Sequence, residues 1–82
     1  MEIDFRTFIV QLGQGTLVAL GVQPDPETQQ RHINVLLAQH HIGVLEMLQA
    51  KTQGNLNDDE LQLLQALITD LNEKLVEVSQ PS

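Results

Sequence analysis

Three histidines, His32, His40 and His41, together with Glu46, are the residues through which this chain could bind a metal ion or carry a proton. Adjacent helical positions diverge by about 100°, so His40 and His41 cannot easily grip one ion. His32 precedes His40 by two helical turns; at ~1.5 Å per residue the two stand ~12 Å apart along the axis, too far for a common ion. Glu46 follows His41 by five residues, not by the four that align two ligands. Zinc bound here needs a further ligand from another helix or subunit. The plainer expectation has His40 packed at a helix interface, with His32 and His41 in solvent. A partly buried histidine would make assembly sensitive to pH.

Nucleophiles are scarce. The chain has no cysteine, and its serines, Ser79 and Ser82, lie at the end. Thr7, Thr16, Thr28, Thr52 and Thr69 sit in no nucleophile motif. The carboxylates of Asp58, Asp59 and Glu60 are explained by the positive end of a helix dipole rather than by acid–base chemistry. Gly13-Gln14-Gly15 lacks the lysine and the longer glycine spacing of a phosphate loop. No catalytic, cofactor-binding or metal-ligating residue is therefore assigned, and a non-enzymatic protein is expected. The alternative is a small-ligand or metal-binding protein using His40, His41 and Glu46 between helices.

Charge narrows the partners. Eleven acidic residues against four basic ones give a net charge of −7. Arg6, Arg31, Lys51 and Lys74 are scattered, and there is no Tyr or Trp to stack on bases, so nucleic acid is not expected as a partner. Phe8–Val22 is apolar, but its fifteen residues fall short of the ~20 of a membrane span and include Gln11 and Gln14. No membrane association is expected. Met1 leads directly into Glu2 and Asp4, nothing requires oxidation, and a cytoplasmic location follows as the expectation.

The elements that carry these residues are helices. Asp4 is a natural N-cap for a first helix over about 5–20, with Phe5, Phe8, Ile9, Leu12, Thr16, Ala19 and Leu20 on one face and Gly21 as the stop. Gly13 and Gly15 each cost that helix ~1 kcal/mol relative to alanine, and close approach of another helix is the compensation expected. Pro24, Asp25 and Pro26 then hold the chain extended. A second helix is predicted over about 32–53, its stripe being Ile33, Leu36, Leu37, His40, Val44, Met47 and Leu48, interrupted by Gly43. Lys51 suits its last turn, Gly54 the left-handed residue beyond it, and Asn57 with Glu60 a capping box. The third helix, about 58–78, carries the cleanest seam: Leu61, Leu64, Ile68, Leu71, Leu75 and Val78 at alternating spacings of three and four, flanked by Leu63, Leu67 and Val76. Residues 1–78 form one helical domain and 79–82 a disordered tail.

Together these landmarks resemble the bacterial family known as domain of unknown function 1844. The resemblance runs through Phe5 and Phe8 ahead of Leu12, then Leu17-Val18-x-Leu20-Gly21 and Pro24-Asp25-Pro26-Glu27-Thr28. It continues in Ala38, Ile42 and Leu45-Glu46-Met47-Leu48, and is strongest at Lys51-Thr52-x-Gly54-Asn55-Leu56. It implies a small, helical, cytoplasmic bacterial protein and brings no activity with it. Gly43 stands where the family usually has an acidic residue, His40 and His41 where it has Gln and Thr, and Asn72 and Leu75 where it has Arg and Tyr.

An 82-residue chain buries only a little over ~60% of its unfolded surface. Without disulfides, self-association is the remaining support. The reading is an all-α, three-helix bundle completed by oligomerisation, most simply a dimer, that serves as a protein-interaction module. Its expected contact residues are Leu61, Leu64, Ile68, Leu71 and Leu75 of the seam, for which the alternative is the intramolecular core, or Gly13 and Gly15 of the small-residue strip.

Overall fold

The structure, a computed structural model, describes residues 4–79. Three helices follow one another: α1, Phe5–Ala19; α2, Val35–Lys51; α3, Asp58–Ser79. Each packs against both others. Among the described residues there is no strand, only an isolated antiparallel bridge between Leu20 and Ile33.

Helix ends follow local chemistry. The Asp4 carboxylate accepts the Thr7 N–H at 2.7 Å and caps α1. Gly21 ends it at φ 75°, and a Cβ there would stand 2.9 Å from Ile33 Cγ1, so both conformation and space demand glycine. Gly54 has φ 81° in the turn after α2. Asn57 and Glu60 form the reciprocal capping box: the Glu60 N–H donates to Asn57 Oδ1 at 2.8 Å, and the Asn57 N–H to Glu60 Oε1 at 3.0 Å. α3 reaches Ser79, the first residue of the expected tail; residues 80–82 lie outside the described residues.

α2 departs from expectation at its start. It begins at Val35, not His32, and ends at Lys51, not Gln53. The Leu20–Ile33 bridge holds the preceding chain extended, and the Asn34 N–H donates to the Ala19 carbonyl at 2.7 Å. That leaves the Asn34 side chain to cap α2 by accepting the Leu37 N–H at 3.1 Å. Between the helices, Asp25 organises the proline-containing loop. Its N–H donates to the Gln30 carbonyl at 2.8 Å, its carbonyl accepts from Gln29 N at 2.7 Å, and its carboxylate accepts from Glu27 N at 2.8 Å. Gln29 takes the left-handed conformation, φ 61°, to close this turn.

The core has two connected parts. Ile9, Ile42, Leu45, Leu64 and Leu71 form one; Ala19, Leu20 and Ala38 form the other, with Leu75 packed against both. Thr16 is buried with them, its hydroxyl donating to the Leu12 carbonyl at 2.7 Å. Among the described residues, no helix is long and apolar enough to cross a membrane.

Candidate interaction surface

The outer side of α2 is the most unusual surface of the molecule. Ala38, Ile42 and Leu45 are the α2 positions that face the bundle, all buried. The stripe expected to do so lies opposite them. Ile33 is 64% exposed, Leu36 79%, Leu37 42% and Met47 46%. His40 and Gly43 are exposed on the same side, and only Val44 and Leu48 of the expected stripe are half-buried. The cause is composition. α2 carries two charged residues, Glu46 and Lys51, so no polar face marks which side belongs outside. The small Ala38 lets α2 settle against Ala19 and Leu20 instead.

The contact residues expected from sequence are mostly occupied within the chain. Leu64 and Leu71 are buried, Ile68 and Leu75 pack against the core, and Leu61 at 39% is the exposed member of the seam. The seam is therefore the bundle's own packing surface. The glycine strip is also covered. A Cβ on Gly13 would lie 3.2 Å from Leu67 Cδ2 of α3, and one on Gly15 would lie 3.4 Å from His41 Cε1 of α2. The close helix approach expected of these glycines is present, made by the chain's own neighbours.

The histidines are placed the other way round from expectation. His40 is exposed, whereas His41 is half-buried over Gly15, its Nδ1 buried without a hydrogen-bond partner. A Cβ on Gly15 would meet that ring at ordinary contact distance, 3.4 Å from Cε1 and 3.6 Å from Nδ1. The two ring centroids are 6.1 Å apart and tilted by 52°, so the pair does not converge. Among the described residues, no three His, Asp or Glu side chains are placed to hold a metal ion. A hollow of about 690 Å³ lies where His41 and Leu37 of α2 meet Gln11, Gln14 and Val18 of α1, with Asp25 and Glu27 of the loop at its rim.

The sequence carries the α2 stripe, but the stripe faces outward where its spacing predicts that it faces the bundle. The regular stripe is real; what identified it as outward was the second, smaller apolar set, Ala38, Ile42 and Leu45, on the opposite side. Comparison with curated proteins and with solved structures finds no match to this chain. A family does match, over residues 2–77, and covers α1, α2, all but the last two residues of α3, the loop organised by Asp25 and the Gly54–Asn57 turn. The chain belongs to the family described as Domain of unknown function (DUF1844).

Proposed function

We propose that this chain is a non-enzymatic, self-associating protein-interaction module. The observation that carries the reading is the imbalance of its apolar residues. Six large apolar side chains are fully buried, Ile9, Leu20, Ile42, Leu45, Leu64 and Leu71, against nine large ones left exposed. Large side chains exposed singly are ordinary, but a row of them along one helix marks a contact surface. The missing disulfides and the short chain point the same way, since association adds the burial that a domain of this size lacks. The test is mass by light scattering behind size exclusion over a dilution series. A dimer or larger species at micromolar concentration supports the reading; a monomer with full helicity throughout overturns it.

A second reading, a small-ligand protein, rests on the hollow beside His41. It predicts a rise in melting temperature with some member of a panel of small polar ligands, because binding to the native state alone stabilises it. His41→Gln should then remove the rise. A flat response across the panel ends this reading.

A further inference from the structure

We propose that the hollow between α1, α2 and the Asp25 loop binds a small amine whose apolar body carries a hydrogen-bond acceptor at its other end. This rests on the small-ligand reading and names the class of ligand.

Charge sets one end. The charged residues that line the hollow are Asp25 and Glu27, and no lysine or arginine joins them. Among the described residues the one ion pair is Lys74 with Asp70, so neither carboxylate has a protein cation beside it. In a chain of net charge −7, such a hollow repels phosphates and carboxylates and attracts an ammonium. The Asp25 carboxylate is also held in place. One of its oxygens accepts the Glu27 N–H at 2.8 Å, and its backbone N–H and carbonyl are bonded to Gln30 and Gln29, which leaves the second oxygen for a ligand. Among the described residues no three His, Asp or Glu side chains converge on a metal position, so the geometry favours an organic cation.

His41 sets the other end. Its Nδ1 is buried beside Gly15 without a hydrogen-bond partner, which leaves Nε2 as the ring nitrogen a ligand can reach. A buried orphan N–H is rarer than an unfilled lone pair, so the neutral ring carries its proton on Nε2. There it donates, and it needs an acceptor. An ammonium only donates, so the acceptor must stand elsewhere on the ligand. Val18 and Leu37 also line the hollow and offer apolar surface to the chain joining the two ends. Its volume, about 690 Å³, lies within the range of small-molecule sites.

Three probes test this on the full chain by NMR titration at neutral pH, read at the amides of Gln14, Asp25, Leu37 and His41. They are ω-aminohexanamide, which has both ends, hexanamide, which lacks the amine, and hexylamine, which lacks the acceptor. ω-Aminohexanamide should bind with a Kd on the order of 1 mM, and each of the others about tenfold more weakly. Asp25→Asn/Glu27→Gln should lower its affinity to that of hexanamide, since an amide at position 25 still accepts the same backbone N–H and keeps the loop. His41→Phe, which keeps a flat ring against Gly15, should lower it to that of hexylamine. Circular dichroism should show wild-type helicity for both variants; were either to unfold, the three probes on the wild type decide alone. A one-ended probe that binds as tightly as ω-aminohexanamide overturns the proposal. So do equal shifts at Asp58, Asp59 and Glu60, the mark of general attraction to carboxylates. Stabilisation by another polar ligand but by none of these three overturns this inference and leaves the small-ligand reading standing. A flat response to all of them overturns both.

Discussion

In α3 the seam from Leu64 to Leu75 points into the bundle, whereas in α2 the most regular apolar stripe points away from it. The two helices differ in what surrounds the stripe. α3 has six acidic residues and one lysine, and these hold the rest of its surface in water, leaving one side for the core. α2 has two charges on seventeen residues, so either side is chemically fit for burial and packing decides. Ala38 and Ile42 fit against α1 and α3; Leu36 does not need to.

The largest expected effect tests that contrast directly. Leu64 is fully buried, and Leu64→Ala should cost about 2–5 kcal/mol, the sum of lost transfer energy and the cavity left behind. Leu36 is 79% exposed, and Leu36→Ala should stay within about 0.5 kcal/mol. Urea unfolding at a dilution where the chain is monomeric measures both. Comparable losses would mean that Leu36 is part of the core and that the two helices do not differ as described.

How much could be read in advance follows the same division. The turn between α2 and α3 was legible because its residues act locally: Gly54 at positive φ, Asn57 and Glu60 exchanging hydrogen bonds across one turn. The Asp4 cap and the Gly21 stop were legible for that reason as well. The start of α2 was not, because it depends on Ile33 meeting Leu20 and Asn34 meeting Ala19, contacts between segments distant in sequence. The direction of the α2 stripe and the exchange of roles between His40 and His41 are tertiary in origin too. Gly15 hinted at a neighbour but did not say that the neighbour was an imidazole.

Glycine substitutions give an intermediate effect and sharpen the comparison between inner and outer surfaces. Gly43 faces open space, so Gly43→Ala should stabilise the dilute monomer by about 1 kcal/mol through helix propensity alone. At Gly13 the added methyl would approach Leu67 Cδ2 to 3.2 Å, and the leucine must give way. Gly13→Ala should therefore gain less than Gly43→Ala, or nothing, by the same urea measurement. Equal gains would show that α1 and α3 have slack at Gly13. A loss at Gly43 in the monomer would place that residue against something within its own chain.

The smallest effect concerns how the two helices begin. α1 is capped by a carboxylate, Asp4, and α2 by an amide, Asn34. The backbone N–H of Thr7, donating to the Asp4 carboxylate, holds its pKa below the ordinary value of 3.8. A pKa depressed in the folded state means that the cap's full contribution is present above 3.8 and is lost as pH falls through the lower folded value. α2 has no such dependence at its cap, since an amide does not titrate in this range. Following the Asp4 carboxyl carbon and the Thr7 amide by NMR during acid titration should give one shared midpoint below 3.8, with the Leu37 amide showing no transition of its own there. Asp4→Asn should keep the cap and abolish the Thr7 transition, because Asn accepts the same hydrogen bond without a charge to lose. A Thr7 transition that persists in Asp4→Asn would mean that another carboxylate, not the cap, governs the acid response of the α1 N-terminus.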